Sequence, residues 1–550
     1  MDSCFRRNDI FRGCLKVRTP VSLNDCAHRL DQPTVMSNPK RKEMFILLLC
    51  LFVGFALRYY HLDQKSLWLD EVHTYNDSRD GFGDQIKFYK ENPTFLHPPL
   101  FFVLTHLFYP FSKPERDIRI IPLIAGTLSI PMIYFLARSF APLISIPCMV
   151  ALTFMAYHIS LSQDGRSYVL LMFFGMASLY FFVQYLKTSK KKYLIVTALF
   201  YALLFHTSYS SIPFILFSQI LWFYKLDDCQ KTPPLSSFLI QTAFTLLFIL
   251  PWIIFVVSSY KGQILMDPTH KEAPGPLWSL LYGILHDWVP FAPLMIASTA
   301  LLILTPILTK QRRNSLVLLA VLLSPMVGLW LYCKWFNVTH FITSRYFITF
   351  VPLFLISLFL SLLAIEFRFE RVKRYLHLQF LFLFLFIASN LVILPSYYRY
   401  QKQDYRGVVS YLKKHIRDGD KVFTETEAHM PGILHYFGVY PRGRHHVAKS
   451  WKDSENKTAY KISFVFQNKN ITMFSSNTCC SQYVDDGSRL WIIVGIWTAQ
   501  KLKDNSPCVL KGYFDGSFLN FTKFPVDASI YLFLLDPKSP GEKGIDMPIE

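Results

Sequence analysis

Residues 44–77 read MFILLLCLFVGFALRYYHLDQKSLWLDEVHTYND, an apolar run followed closely by two adjacent acids, Asp70 and Glu71. A helix rises 1.5 Å per residue, so about 20 apolar residues cross the hydrocarbon core of a bilayer. Basic residues at 40–42 precede the run, and the polar leader 1–43 contains no apolar stretch. We therefore expect the first span to be an uncleaved export signal, with the two acids following it on the exported side.

The composition is that of a lipid-embedded chain. Of 550 residues, 52% are apolar, 17% aromatic and 17% charged, which leaves too few polar side chains to cover several water-exposed domains. The 57 Lys and Arg against 38 Asp and Glu give a net charge of +19, which in a soluble protein would favour a nucleic-acid partner. In so apolar a chain this charge is more typical of loops that flank membrane spans. We therefore predict a polytopic α-helical membrane protein with no nucleic-acid partner, and exclude the disordered, fibrous and disulfide-stapled classes.

About eleven membrane-spanning helices are predicted from runs of bilayer length. The run 193–224 is too long for one untilted crossing and is interrupted by the polar stretch 207–211, so we interpret it as two short spans. The run 98–112 is too short to cross and fits an interfacial or re-entrant helix. The remaining predicted spans are 44–60, 118–137, 142–160, 166–186, 236–257, 291–309, 314–333, 345–364 and 376–395.

The short basic loops are consistent with this count, because the positive-inside rule then places them all on the cytoplasmic side. Counting 98–112 as a span would move the basic cluster 190–192 to the exported side, which is the costlier arrangement. We therefore expect the loop 61–117 and the tail from residue 397 to face outward, as periplasmic parts of a protein of the bacterial inner membrane.

Three segments follow from this topology: the leader 1–43, to which we assign no function; the transmembrane domain 44–396; and the exported domain 397–550. Met36 or Met44 are alternative starts of the chain. The tail combines strand-like runs with a helical pattern, which predicts a small α/β domain. Its predicted strands are 421–426, 461–467, 489–496 and 529–536, and its predicted helix is 405–416.

The ten cysteines have no metal-binding spacing. In the exported tail, Cys508 and either Cys479 or Cys480 are close enough in sequence for one disulfide, but the pairing cannot be assigned from the sequence.

Asp70 and Glu71 are candidates for general-base chemistry, in which a positioned carboxylate takes a proton from an attacking hydroxyl. From spacing alone, an acidic helix cap or a hydrated loop explains the pair better. His97 opens the segment His97-Pro98-Pro99 at the membrane interface, where its ring is able to bond a hydroxyl or a phosphate, although simple interfacial anchoring explains it equally well.

Arg119, Arg166 and Arg345 are predicted on the exported side at the height of the lipid headgroups. Three such guanidinium groups would bind a lipid phosphate if they converged, although each alone is better explained by snorkelling to headgroups. Asp164 lies two residues before Arg166, and a mutual salt bridge is the simplest explanation of that turn. Further candidates on the same side are Lys334 for phosphate, and Asp164, His206, Tyr209, His340 and Tyr346 for substrate.

Several motifs in order together resemble the GT-C superfamily of membrane glycosyltransferases, in particular bacterial relatives of the protein O-mannosyltransferases and of the lipid A aminoarabinose transferase. The motifs are WLDEVHTYND at 68–77, NPTFLHPPLFFVLTHLF at 92–108, SLSQDGRSYVLL at 160–171, SRYFITFVPLF at 344–354 and DYRGVVSYLKKH at 404–415. The third departs from the family pattern, which has Glu-Ala-Arg where this chain has Asp164-Gly165-Arg166.

The resemblance implies an inverting transfer of a sugar from a polyprenyl-phosphate donor to an acceptor on the exported face, which would be a lipid, a glycan or a protein. It implies Asp70 as the base and Glu71 as its support, with cationic groups neutralising the departing phosphate. We assign no cofactor, because one acidic pair is thin for a metal site, and leave open the assistance of a divalent cation. The competing hypothesis is a secondary transporter or lipid flippase, which would show paired halves and charges at the bilayer midplane.

Overall fold

The computed structural model describes most of the chain after the leader. The described residues are 41–91, 97–226, 233–259, 275–308, 312–336, 343–368, 377–425, 429–439, 449–452, 458–475, 487–505, 507–518, 526–539 and 543–547. Leader residues 1–40, His340, Cys479 and Cys480 lie outside this part, so the predictions made for them stay predictions.

The first two thirds of the chain are helical. The α-helices of this part are α1 (Arg41–Tyr59), α2 (Leu69–Arg79), α3 (Phe82–Glu91), α4 (Leu100–His106), α5 (Pro114–Asp117), α6 (Ile120–Phe140), α7 (Ser145–Phe154), α8 (Ala156–Ser162), α9 (Tyr168–Thr188), α10 (Lys192–Thr207), α11 (Ile212–Phe217), α12 (Leu235–Ser259), α13 (Leu277–Trp288), α14 (Ala292–Leu308), α15 (Arg312–Phe336), α16 (Val351–Arg368) and α17 (Leu378–Arg399). Short 3-10 turns extend several of them, at Pro142–Ile144, Tyr209–Ser211, Ser218–Phe223 and Ser344–Phe350.

Within the described residues, six helices are long and apolar enough to cross a membrane, and the number rises to eight if each of two bent pairs is one span. The protein is therefore a multi-pass membrane protein, but the predicted count of eleven spans is not confirmed. One bent pair is α7 with α8, which meet at 59° within the predicted span 142–160. The predicted pair of short spans at 193–224 corresponds to two shorter apolar helices, Lys192–Thr207 and Tyr209–Phe223.

In two regions of the helical part, hydropathy alone does not predict the helix that the structure shows. The run 98–112 forms the short helix α4, only 7 residues long, rather than a crossing helix. Residues 277–288, predicted as part of an outward loop, form the apolar helix α13, which turns by 111° into α14. This helix was missed because 12 residues are too few for a membrane span, and hydropathy alone does not separate a short buried helix from an apolar loop.

The core of the membrane part is built around α9 and the stretch Ser344–Arg368. Of the most apolar window of Ser344–Arg368, 83% is buried inside the protein, compared with 17% for α12. A helix that is apolar all round and buried on all sides must lie inside the bundle, whereas α12 leaves most of its apolar surface for lipid. The stretch begins at Ser344, so Arg345 lies at one end of this buried element.

The C-terminal part contains a seven-stranded mixed sheet of order β2-β3-β4-β1-β5-β9-β6. Its strands are β1 (Lys421–Thr424), β2 (Lys449–Lys452), β3 (Thr458–Phe466), β4 (Lys469–Ser475), β5 (Leu490–Val494), β6 (Val509–Phe514) and β9 (Ile530–Leu535), and a separate ribbon pairs β7 (Ser517–Phe518) with β8 (Val526–Asp527). Three helices accompany them: α18 (Tyr405–His415), α19 (Met430–Phe437) and α20 (Ile496–Asn505).

Helices cover both faces of this sheet. In β5, Trp491 and Ile493 belong to the apolar cluster with α18 and α19, whereas Leu490, Ile492 and Val494 belong to the cluster with α20. All five residues are buried, as expected of a central strand whose alternating side chains meet a helical layer on each face. The predicted small α/β domain is thus confirmed. The four predicted strands and the predicted helix all exist.

Candidate active site

Helix α2 carries the two predicted acids. Successive residues on an α-helix point about 100° apart, so Asp70 and Glu71 face different surroundings. The Asp70 side chain is 26% exposed, whereas that of Glu71 is 1% exposed. The pair therefore divides into one accessible carboxylate and one buried carboxylate.

Glu71 is held by a dense set of donors. Nε and Nη2 of Arg119 donate to its two carboxylate oxygens, each over 2.7 Å, and the backbone N–H of Gly165 donates over 2.7 Å. Arg119 is also buried, and its Nη1 donates to the carbonyl oxygen of Leu62 over 2.8 Å. The predicted role of Arg119 as a phosphate ligand is therefore corrected, because its guanidinium is occupied by protein acceptors. Glu71 anchors α2 and does not reach a substrate, which suits the supporting role that the resemblance implied.

Asp70 lies between two of the predicted arginines. Nε of Arg166 and Nη1 of Arg345 each lie 3.8 Å from its Oδ2. This separation is an ion pair but is longer than a hydrogen bond. Nη1 of Arg166 also donates to the backbone carbonyl of Asp70 over 3.2 Å, which fixes this cation beside the start of α2. Both arginines are partly exposed, at 28% and 25% of their side chains, so a ligand is able to reach them.

Aromatic rings hold the guanidinium of Arg345. Its Cζ lies 5.6 Å from the ring centroids of Trp68 and Tyr168, and 5.5 Å from that of Tyr346. Such cation–π contacts stabilise the cation without using its N–H donors. Accordingly, Nε of Arg345 is buried without a hydrogen-bond partner among the described residues. Tyr346, predicted as a substrate ligand, is thus placed in the site, as one wall around Arg345.

Asp164 is paired with a residue that the sequence analysis did not select. Nζ of Lys402 lies 2.7 Å from Asp164 Oδ2, and the indole N–H of Trp68 donates to Oδ1 over 2.9 Å. Burial raises the pKa of Asp164, but the charge and hydrogen bonds of Lys402 and the hydrogen bond of Trp68 outweigh it and hold the pKa below its usual value. The suggested salt bridge of Asp164 with Arg166 is replaced by this pair, so Asp164 braces the rim of the site.

His97 lies near the cluster. The residue is exposed, but the protein around its ring lowers the pKa of His97 to about 4 by desolvation; the charge of Arg166 lowers it further and that of Asp70 raises it. The ring is therefore neutral beside Asp70 and Arg166.

The other predicted residues make their contacts elsewhere. Nε2 of His206 contacts the carbonyl oxygen of Phe248 at 3.2 Å, and the Tyr209 hydroxyl accepts a hydrogen bond from the Trp252 indole over 2.9 Å. Both partners belong to α12, so these residues join α10 and the turn after it to α12. Lys334 is exposed at the end of α15, with its Nζ 5.0 Å from the ring centroid of Trp330. In the described part of the chain none of these three pairs with Asp70, so the structure does not bring them to the cluster around Asp70, and their role as ligands stays a prediction.

The sequence analysis missed a polar network beside Arg345. The Ser344 hydroxyl donates to Oδ2 of Asp287, and the Tyr157 hydroxyl lies 2.7 Å from the same Ser344 oxygen. Asp287 belongs to α13, the helix that was predicted as a loop. The signal available in the sequence was an acid at the end of an apolar run. For Lys402, the signal was the polar run 400–406 directly after the last span.

Across the described ranges, no group of three His, Cys, Asp or Glu side chains is arranged to hold a metal ion.

The chain resembles known proteins in part of its sequence and in its fold. Residues 96–255 match the family model for dolichyl-phosphate-mannose-protein mannosyltransferases. The crystal structure of ArnT from Cupriavidus metallidurans in the apo state superposes with a TM-score of 0.52 at 10% identity, over 89% of this chain and 97% of ArnT. The chain has the fold of ArnT. The resemblance predicted from the sequence is thereby confirmed.

A second structure of the same GT-C protein, ArnT from C. metallidurans bound to undecaprenyl phosphate, also gives a TM-score of 0.52 at 10% identity, over 88% of this chain and 97% of that one. A search of curated proteins found no match. The matched segment 96–255 contains Arg119 and Arg166 but neither Asp70 nor Arg345. The family match therefore covers two of these four residues.

Proposed function

We propose that this GT-C protein is an inverting glycosyltransferase that moves a sugar from a polyprenyl-phosphate donor to an acceptor hydroxyl at the membrane surface. One observation carries the proposal: residues from three separate parts of the sequence place a single accessible carboxylate, Asp70, between the two guanidinium groups of Arg166 and Arg345. Arginine binds phosphate oxygens through paired N–H donors, and a carboxylate without competing hydrogen bonds is suited to accept a proton.

The reaction needs one base and a stabilised leaving group. In the proposed step Asp70 takes the proton of the acceptor hydroxyl while its oxygen forms a bond to the anomeric carbon. The bond from that carbon to the phosphate oxygen breaks, and its electron pair leaves with the polyprenyl phosphate. A single displacement inverts the configuration. Because phosphate is already a stable anion, two cations replace the acid catalyst that a glycoside hydrolase requires.

The arginines are arranged to exchange one anion for another. Each lies 3.8 Å from Asp70 and still has N–H groups able to turn toward a phosphate. The aromatic walls around Arg345 leave its buried Nε without a partner among the described residues, so an incoming phosphate oxygen would satisfy it. When the phosphate binds these cations, the Asp70 carboxylate is released from them and is able to turn toward the acceptor hydroxyl.

Several finer statements belong to the same proposal. The structure of ArnT bound to undecaprenyl phosphate supports a polyprenyl-phosphate donor for this chain. We further propose that the protein lies in a bacterial inner membrane, with the site and the sheet domain on the periplasmic side. The acceptor is a lipid, a glycan or a protein, and the sugar is a hexose or a pentose.

The experiment is a donor panel. Purified protein in lipid nanodiscs is incubated with radiolabelled polyprenyl-phosphate sugars, and release of polyprenyl phosphate is measured for the wild type, Asp70→Asn and Asp84→Asn. Asp84 is an exposed acid on α3 and serves as the matched control. We expect Asp70→Asn to lose roughly 10²- to 10⁴-fold in kcat, the usual contribution of a general base, while Asp84→Asn matches the wild type. Equal turnover by all three would remove Asp70 from the base position.

The same purified protein tests the competing transporter and the divalent cation. For the transporter, the protein is reconstituted into liposomes. Movement of a labelled lipid-linked sugar across the liposome membrane, without release of polyprenyl phosphate from any donor, would favour a flippase. The predicted assistance of a divalent cation is tested by repeating the assay with EDTA, followed by addition of Mg²⁺ or Mn²⁺.

A further inference from the structure

A short polar segment ties the sheet domain to the helix that carries Asp70. We call residues 400–406, YQKQDYR, the strap; it connects α17 to α18. The side-chain oxygen of Gln401 accepts from the backbone N–H of Ser66 over 3.0 Å, and that of Gln403 accepts from the backbone N–H of Leu69 over 3.0 Å. The strap therefore binds two of the four residues that lead into Asp70.

The start of α2 takes one acceptor from its own first turn, because the Glu71 carboxylate accepts from the backbone N–H of Trp68 over 3.4 Å, and needs another from outside for Leu69. The first N–H groups of a helix have no partner within the helix, and a capping side chain normally accepts from one of them. Trp68 occupies the cap position, but an indole is only a donor, and its N–H is already given to Asp164. Gln403 supplies the missing acceptor at Leu69, the residue directly before Asp70.

Lys402 shows that the strap is held firmly. Its φ is +47°, a conformation that residues other than glycine adopt rarely, so the surrounding contacts must fix it. Its Nζ pairs with Asp164 and lies 3.8 Å from the ring centroid of Trp68. One lysine thus connects the strap to both the rim acid and the cap residue of α2.

The sheet domain contacts both the strap and the residues that lead into α2. A Cβ atom at Gly516 would lie 2.1 Å from the carbonyl oxygen of Lys402 and 2.5 Å from the carbonyl carbon of Ala528, so the two backbones touch there. From α19, the Tyr436 hydroxyl accepts from the backbone N–H of Leu67 over 2.8 Å. The exported domain thus contacts the approach to α2 on two elements that are distant in sequence.

We propose that the exported domain, through the strap, sets the position of Asp70, with Gln403 as a positioning residue for the transfer reaction. The inference rests on the proposed function. A catalytic carboxylate must lie within roughly 0.5 Å of its productive place, and a displacement of about 1 Å costs on the order of 10²-fold in rate. Gln403 touches no substrate in this proposal, so its effect passes through the backbone of Leu69.

The test compares Gln403→Met, which keeps the length but lacks the acceptor, with Gln403→Glu, which keeps an acceptor oxygen. Gln500→Met, at an exposed glutamine on α20, is the matched control. We expect Gln403→Met to lower kcat about 10- to 100-fold with the donor KM unchanged within about threefold, and Gln403→Glu to restore most of kcat. A loss shared by Gln403→Glu, or a rise in KM in place of the fall in kcat, would overturn the positioning role.

A second readout does not depend on turnover. Hydrogen–deuterium exchange of a peptide covering 66–79 should be about five- to tenfold faster in Gln403→Met than in the wild type, since one hydrogen bond at the helix start is lost. Gly516→Ala should accelerate the same peptide, because its new Cβ meets backbone atoms that cannot turn aside, whereas Gly83→Ala, with nothing within 4 Å, should not.

The outcomes separate the two proposals. If the wild type releases no polyprenyl phosphate from any donor while Gln403→Met still accelerates exchange, the function fails and the strap stands as a structural device. If the wild type is active and both Gln403→Met and Gly516→Ala match it in kcat and in exchange, the strap does not position Asp70.

Discussion

Removing the guanidinium of Arg119 tests whether the buried partner of Glu71 fixes the helix that carries Asp70. The side chains of Arg119 and Glu71 are 2% and 1% exposed, and they share two hydrogen bonds of 2.7 Å. Breaking a buried pair by removing one partner typically costs about 3–5 kcal/mol, because the remaining charge is left uncompensated. In Arg119→Met the Glu71 carboxylate keeps the N–H of Gly165, which favours the lower end of that range.

The magnitude translates into a measurable rate. At about 1.4 kcal/mol per tenfold change, a cost of about 3–5 kcal/mol corresponds to a local opening roughly 10²- to 10³-fold more frequent. Hydrogen–deuterium exchange of a peptide covering 66–79 in nanodiscs reports that opening. Arg138→Met is the matched control at the other end of α6, the helix that Arg119 caps, because Arg138 pairs with Glu43 through side chains that are 21% and 26% exposed, and its loss should cost under about 1 kcal/mol.

A double-mutant cycle completes this test. Glu71→Met added to Arg119→Met removes the stranded charge, so the double variant should exchange at least tenfold more slowly than the two single effects predict together. Exchange in Arg119→Met within about threefold of the wild type would refute the anchoring role.

Two further predictions concern charge in the site. Burial lowers the pKa of Lys65 to about 7, so the wild type should gain stability as the pH rises from about 7 toward the ordinary lysine value. Its melting temperature should therefore rise more between pH 7 and pH 9 than that of Lys65→Met. An equal change of melting temperature with pH in both proteins would contradict this. Arg345→Gln should lower kcat roughly 10²- to 10³-fold in the donor assay, whereas Arg312→Gln, at an exposed arginine on α15, should leave kcat unchanged; equal activity of both would exclude Arg345 from phosphate stabilisation.

Much of the architecture could be predicted from the chain alone because it depends on local patterns. A run of about 20 apolar residues needs a bilayer, whatever its neighbours are. The strands predicted at 421–426 and 489–496 also follow from a local pattern, because their dense apolar residues indicate buried strands, and the structure has β1 and β5 there. Helix α13 escaped prediction because 12 apolar residues fit a loop, an interfacial helix or a buried helix equally well.

The candidate site could be predicted only as a set of residues on one face. The sequence by itself determined that acids and arginines gather at one surface, because the spans fix which loops share a side. It could not determine that Arg119 would bind Glu71 while Arg166 and Arg345 would remain open to Asp70. Each of those pairings joins residues many tens of positions apart, and the outcome depends on which side of α2 the bundle buries.

The tertiary structure decided the division of labour between Asp70 and Glu71 for the same reason. Their sequence environments are nearly identical, and helical geometry separates them by about 100° without saying which direction faces the opening. Packing of α2 against Arg119 and Gly165 turns Glu71 inward, and the strap holds the start of the helix from the other side. Burial and pairing in three dimensions, which no local pattern encodes, therefore select the one carboxylate that a substrate is able to meet.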